Sequence, residues 1–588
     1  MLQQVDQYDL STVVNKDDFS KTVELRQCEL EGRSLVAKRP LSPGDIVLVE
    51  NPRLCYLLQP NCRSSLSPHY TKKLWKSLED IVQDEGFCPG VPAAMLAYLS
   101  LGEIERPKYD FFYYPELSEQ HSTVQLIKQA SHTAVSTLPE FKDLDADDMA
   151  RFVLKIYGNA HTVSFAHERK AQTHKRRKER RQMYAPKWGE PYDTSGFGLS
   201  EEEAAQQRSM ICLMAWGSKF AHACAPNLFL QYEPSENVMV FRAVRAMEPG
   251  TVLSFSYLPE DDMSLGGLVC GTTVLRQAKL HKFKFFECAC ARCTDYDWSR
   301  GQDNDIHGSC KQVYYHKGVW ECPKCHTIKS SVPFIGKRED HVQQITLAFA
   351  ALAHGLKPVD EDSLRMIEPY MEDLLHPDNT TRDAEEEEEE EEEEKVPVPR
   401  YHWTYGSIHA VLSTYHLKLF PQFFGKGLAE RFGMTVKGFN EAVVYLQFLN
   451  DHIWTCPNPS SPVGSPMAAF FAGWRILAIV IDTVLQGTQR TLVIRSSTAP
   501  PKSRNGNDSD EDSDSDAEEE NMETTTELIP MSDEWKQPID QIIDIVHSRW
   551  LPLVVQVFQV RRSPVVDDMM SRINEFVDRV EQVSALKE

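Results

Sequence analysis

The chain is predicted to be α+β, with small β-sheets in its first half, clustered cysteines stapling that half together, and a helical lobe behind them. Three observations predict this. The alternating run Ile46-Val47-Leu48-Val49-Glu50 follows the Pro43-Gly44 turn and reads as a buried strand. Cys288, Cys290 and Cys293 form a CxCxxC cluster, three thiols within six residues, which in a reducing compartment should share one metal ion. Beyond residue 338, apolar residues recur at helical spacing in seven stretches.

The elements follow in order. Residues 1–22 read as an N-terminal tail, and Met1–Leu10 is polar, so no signal peptide is expected. Residues 23–51 read as short strands, and 52–156 as a helical insertion with apolar spacing at Met95, Leu96, Leu99 and at Met149, Phe152, Val153, Ile156. A basic insertion at about 166–190 carries Lys175-Arg176-Arg177-Lys178 with Arg180 and Arg181. It reads first as a solvated loop, with nuclear import or nucleic-acid contact as the sharper alternative. Residues 296–330 hold His307, Cys310, Cys322 and Cys325, an HxxC…CxxC spacing that presents four ligands in the manner of a small zinc ribbon. Four protein ligands leave no open position, so that metal would be structural.

The lobe at 338–588 is predicted to be all-α, with helical patterns at His341–Leu356, Ser363–Leu375, His402–Leu419, Phe439–Trp454, Met467–Leu485, Ile539–Val560 and Val566–Val583. Arg475 and Asp482 in the most apolar of these favour a core helix over a bilayer span, and no membrane association is expected. Two acidic insertions, at about 377–400 and 496–528, read as disordered. They account for most of the net charge of −24, since Asp383–Glu394 carries 11 acidic residues and Asp508–Glu520 carries 9. Ser509, Ser513 and Ser515 lie in the second; a solvated linker is the first reading and kinase targets the alternative. Fourteen cysteines, seven of them in zinc spacings, suit a nuclear or cytoplasmic protein better than a disulfide framework.

The motifs His222-Ala223-Cys224-Ala225-Pro226-Asn227, Ser256-Tyr257 and the cysteine triplet come in the order and rough spacing of a SET domain with its post-SET zinc site. Gly32-Arg33-Ser34-Leu35-Val36-Ala37 resembles that family's opening GxG strand, and Arg242 through Pro249-Gly250 to Tyr257 its closing strand pair. Asn159-Ala160-His161-Thr162-Val163 is similar to the segment ahead of the core in the SET and MYND subgroup. Only Cys55, Cys62 and Cys88 stand where a MYND finger would need about eight ligands, so no such finger is expected.

The resemblance implies a SET-type pseudoknotted β core over residues 23–295, and a helical C-terminal lobe roofing the substrate cleft. It implies methyl transfer from S-adenosylmethionine to a lysine of a protein substrate, histone or otherwise. Tyr257 would be the catalytic tyrosine. Arg33, Leu35, Asn159, Ala221, His222, Tyr257 and Phe286 would line the cofactor site. Cys224 would join Cys288, Cys290 and Cys293 on one zinc ion, and His307, Cys310, Cys322 and Cys325 would hold a second. The sequence departs from the family pattern at Ser34, where the second glycine stands, at Ala221, where the asparagine of NHSC stands, and at Lys284, where a tyrosine is common. The alternative reading is therefore a catalytically degenerate scaffold that binds basic protein partners. A nucleic-acid-binding regulator ranks below both, because the single basic run lacks interleaved aromatics.

Overall fold

Short β-rich runs pair here because turn residues bring each strand back alongside an earlier one. The computed structural model describes residues 9–29, 32–57, 71–84, 87–166, 207–233, 235–258, 272–307, 310–329, 361–376, 397–400, 402–423, 428–451, 466–495 and 522–586. The basic run, the His341–Leu356 pattern, the glutamate run and the three acidic-tract serines lie outside them.

Strands β1 (Val23–Cys28) and β2 (Gly32–Ala37) make a hairpin with Cys28 opposite Gly32. Gly32 has φ +66°, which a side chain would resist, whereas Ser34 sits in ordinary paired strand opposite Arg26. Next come β3 (Ile46–Glu50), β4 (Leu54–Leu57), β5 (His161–Ala166), β6 (Gln207–Leu213), β7 (Ala221–His222), β8 (Leu228–Glu233), β9 (Val238–Ala243) and β10 (Ser254–Phe255). They form a β3-β9-β8 sheet, a β4-β6-β5 sheet and a short parallel β7-β10 pair. Residues 9–22 are no loose tail. Helix α1 (Lys16–Thr22) buries Phe19 completely, and Val14 N–H donates to Val49 O at 2.8 Å along β3.

Between β4 and β5 lies the helical insertion: α2 (Lys72–Val82), α3 (Gly90–Ser100), α4 (Ser122–Thr137) and α5 (Ala146–Asn159). Local capping starts these helices, with Thr71 accepting from Leu74 N–H at 3.0 Å and Asp145 from Asp148 N–H at 2.8 Å. Helix α3 is apolar around its whole circumference and accordingly lies in the middle of this layer.

After this half of the chain, β11 (Asp297–His307), β12 (Cys310–His316), β13 (Val319–Glu321) and β14 (Ile328–Lys329) form an antiparallel sheet in sequence order. The C-terminal lobe follows with helices Glu361–Leu375, Trp403–Thr414, Leu428–Leu449, Pro466–Gly487, Asp533–Ile545, Leu551–Phe558 and Pro564–Ser584. Helix Pro466–Gly487 is the lobe's core element, with Phe470, Ile476, Val480 and Val484 fully buried. The lobe is not all-α. Strands β15 (Gln489–Arg495) and β16 (Met522–Leu528) pair antiparallel, so the second acidic insertion ends at 521 rather than 528. The Thr524-Thr525-Thr526 run explains this, since β-branched residues favour a strand.

The lobe docks on the β3-β9-β8 sheet through buried charge and a glycine. Arg561 makes a forked contact with Glu233 on β8, including Nε to Oε2 at 3.0 Å, and Arg242 on β9 lies 4.8 Å from the Phe558 ring centroid. Gly44 has φ +94°, and a Cβ there would stand 2.5 Å from Gln556 O. Gly44→Ala is therefore expected to lower the free energy of unfolding by about 2 kcal/mol, through strained backbone and a displaced lobe. Gly102→Ala, with nothing within 4 Å and no positive φ, should stay within about 0.5 kcal/mol in the same urea titration.

Candidate functional site

The site is assembled where β7 crosses β10, and three side chains hold that crossing. The Glu50 carboxylate, fully buried at the end of β3, accepts from the N–H groups of Ala215 (2.9 Å), Trp216 (3.0 Å) and Gly217 (2.8 Å) and from Thr12 Oγ1 (2.8 Å). Burial pushes its carboxyl pKa up, and these four donors counter that by stabilising the charge. Asn227 donates to Val252 O and accepts from Ser254 N–H, both at 2.8 Å, tying the HxCxPN tract to β10. His222 Nδ1 accepts from the Tyr257 N–H at 3.0 Å, which leaves its proton on Nε2, 3.3 Å from Cys224 Sγ. Burial holds this imidazole neutral, with its pKa near 3.

Tyr257 emerges from this crossing into a ring cluster. Its centroid is 5.3 Å from His161, 5.1 Å from Phe255, 5.2 Å from His222 and 6.1 Å from Phe286. The hydroxyl donates to Phe220 O at 2.6 Å. Burial pushes the phenol pKa far up, so the group stays protonated and its oxygen lone pairs remain available as acceptors. The tyrosine borders a cavity of about 620 Å³, walled by β5, β8 and the insertion helices, with Phe471 and Val565 supplied by the C-terminal lobe.

Lys284 reaches into the same cavity. It is the last residue of helix Thr273–Lys284, which Thr272 caps by accepting from Leu275 N–H at 3.3 Å. Phe285 then takes a left-handed φ of +64°, uncommon for a bulky residue, and stops the helix between Lys284 and Phe286. The Lys284 amine donates to Tyr157 O at 2.9 Å and Ala160 O at 2.8 Å, and lies 5.7 Å from the Tyr257 ring centroid. Burial lowers its pKa to about 7.

The four predicted sulfurs meet. Cys224, Cys288, Cys290 and Cys293 place their Sγ atoms within 4.8 Å of one another, with Cys224 and Cys293 at 3.5 Å. Tetrahedral zinc with bonds of about 2.3 Å sets its sulfurs about 3.8 Å apart, so the cage has the required size. Backbone N–H groups of Cys224 and Cys290 point at sulfur, each at 3.4 Å, and the Gln277 side chain clamps the Cys288 backbone. Charge fits as well. Four thiolates around a dication leave two negative charges, and two buried arginines flank the cage, Arg276 at 3.6 Å from Cys293 Sγ and Arg292 donating to Cys224 O at 3.0 Å. Asp297 adds a carboxylate to their surroundings.

The other expected residues are placed as follows. Leu35 is fully buried in β2, and Arg33 is exposed at the hairpin near Lys219. Lys219 is held down to about pKa 8, by burial first and then by Arg33, and its amine lies 5.5 Å from the Phe111 centroid. Ala221 is buried and paired to β10, with no side-chain donor. Asn159 gives its amide to Tyr113 O (2.7 Å) and Lys155 O (2.8 Å), which fixes the end of α5 and hence the following Ala160 carbonyl. In the ribbon, His307 and Cys310 are paired backbone positions whose side chains lie outside the described residues. Cys322 and Cys325 flank a tight knuckle closed by His326 N–H to Cys322 O at 2.9 Å. Glu50 and Lys219 were absent from the expected site, and Lys284 entered it only as a departure from the family pattern. The signal for Glu50 was a carboxylate ending an otherwise apolar strand.

Residues 32–258 match the family model for the SET domain. Among solved structures, the chain is similar to the SET domain of LSMT bound to lysine and AdoHcy, with 11% identity, 63% of this chain and 79% of that chain covered, and a TM-score of 0.24. No curated protein matches the chain.

The sulfur cage predicts a metal count. Cys290→Ser should reduce bound zinc by one equivalent per chain relative to wild type, measured by atomic emission. The melting temperature should fall by several degrees, because closing the cage joins segments distant in sequence.

Proposed function

We propose that the chain is a protein-lysine N-methyltransferase that uses S-adenosylmethionine and carries structural zinc. The observation that carries this reading is the SET domain match over residues 32–258 together with what stands at its end, the Tyr257 phenol bordering a cavity in which two backbone carbonyls hold the Lys284 amine. S-adenosylmethionine, when bound, supplies a sulfonium methyl group. Phe286, His222 and Tyr257 offer it aromatic surface, and the neighbouring cations Arg33 and Lys219 suit a carboxylate. Ser34 is no obstacle, since its backbone is ordinary strand.

The chain's own groups supply the rest. An acceptor amine must be neutral, oriented and dry. The carbonyls of Tyr157 and Ala160, which in this structure accept from the Lys284 amine, are acceptors for such N–H groups, and the rings of His161, Phe255 and Tyr257 pack beside them. The Tyr257 oxygen, its hydrogen committed to Phe220 O, keeps acceptor capacity in the residue that borders the cavity. Cys224, Cys288, Cys290 and Cys293 would hold one zinc ion with no open position, a structural role, and the ribbon residues His307, Cys310, Cys322 and Cys325 a second. The acceptor would be a lysine of a protein, reached through the cavity under the C-terminal lobe, in a nuclear or cytoplasmic setting.

Calorimetric titration of S-adenosylmethionine into zinc-replete protein tests the reading. Micromolar binding, weakened at least about tenfold by Phe286→Ala, is expected. Absence of heat at millimolar cofactor would leave a SET-derived scaffold instead. Tyr257→Phe should keep cofactor affinity while slowing methyl transfer about 100-fold, read as label released to protein acceptors under saturating cofactor.

A further inference from the structure

Among the described residues, Lys284 is the one lysine lining the cavity beside Tyr257. Lys284 is partly buried, and no ion pair joins it to a carboxylate among the described residues. Its surroundings are instead those that the transfer reaction asks of an acceptor. Two carbonyl oxygens, of Tyr157 and Ala160, take two N–H bonds at 2.9 and 2.8 Å, and the Tyr257 ring stands alongside. A neutral amine has two N–H bonds and one lone pair. Both donors are thus satisfied and the lone pair is left over. Burial lowers the amine's affinity for its proton, to a pKa of about 7.

We propose that Lys284 is itself a methyl acceptor, a self-modification site occupying the amine subsite of its own chain. This rests on the methyltransferase reading above. In the step, the Lys284 nitrogen lone pair forms a bond to the methyl carbon as the carbon–sulfur bond of S-adenosylmethionine breaks. Sulfur keeps that electron pair and leaves as neutral S-adenosylhomocysteine. The positive charge passes to nitrogen, and a proton lost to solvent returns the methylated amine to neutrality. Lys279 and Lys282 lie on the same helix but do not line the cavity, so they serve as internal controls.

The experiment uses the full zinc-replete chain with S-adenosylmethionine carrying a trideuterated methyl group, followed by peptide mass spectrometry. The expected result is label on Lys284 and not on Lys279 or Lys282, at a rate per molecule unchanged over about a tenfold range of protein concentration. Lys284→Gln, checked for zinc content and melting temperature, should lose that label. Label confined to other lysines, or a rate per molecule that rises with protein concentration, overturns the proposal. Calorimetry on the same preparation separates the two readings. Cofactor binding and labelling of an added protein acceptor, with Lys284 bare, would sink self-modification and leave the methyltransferase standing. No cofactor binding would sink both.

Discussion

The cage of four sulfurs is the constraint on which the site depends. Cys224 follows β7 directly, whereas Cys288, Cys290 and Cys293 follow helix Thr273–Lys284, and no strand pairing joins these two stretches. Bringing thiols this close without a metal would leave protons and partial charges in conflict; a bound dication turns the same contact into the strongest local attraction. Arg276 and Arg292 complete the logic, since each loses water on burial and finds compensation in the negative charge of the cage. The helix therefore cannot drift relative to β7, and Lys284 and Phe286 at its end are held against Tyr257.

The same crossing is over-determined from the other side. Glu50 gathers three successive N–H groups of the chain leading into β7, and Asn227 bonds both sides of the chain entering β10. Backbone groups at a two-residue parallel pair would otherwise lack partners in a buried setting. Polar side chains thus do here what a longer sheet does elsewhere. A carboxylate buried with four donors is stable as a unit but costly to disturb, which suits a site whose geometry must not vary.

How much of this was legible in the sequence depended on whether an interaction is carried by residue type or by three-dimensional meeting. The CxCxxC spacing and the Pro43-Gly44 turn have few alternative uses, and the structure brings those three thiols together with Cys224 and gives Gly44 a φ of +94°. Asn159 was legible as a special residue but not in its role, because its partner Tyr113 O lies 46 residues away and nothing local announces it. The packed segment 9–22 was read as a tail, and the burial of Phe19 there depends on a distant partner, Trp216, at 5.2 Å between ring centroids. Likewise β16 was hidden by its acidic neighbours, and the Arg561–Glu233 contact spans 328 residues, beyond any periodicity argument.

The position of the Lys284 amine shows how such distant contacts combine at one atom. The helix that carries it is anchored at its start by Thr272, with Asp297 accepting from Thr273 N–H at 3.1 Å. At its end two last-turn carbonyls meet the insertion: His121 Nε2 lies 2.9 Å from His281 O, which also accepts from Phe285 N–H, and Thr123 Oγ1 donates to Lys282 O at 2.8 Å. Those two residues begin α4, while the carbonyls that receive the amine end α5 and start β5. Insertion helices thus fix both the stem and the seat of the lysine, and the sulfur cage fixes the chain beyond it. An amine placed from so many directions has little freedom to leave, and a lysine at this position acts as part of the cavity wall rather than as a surface charge.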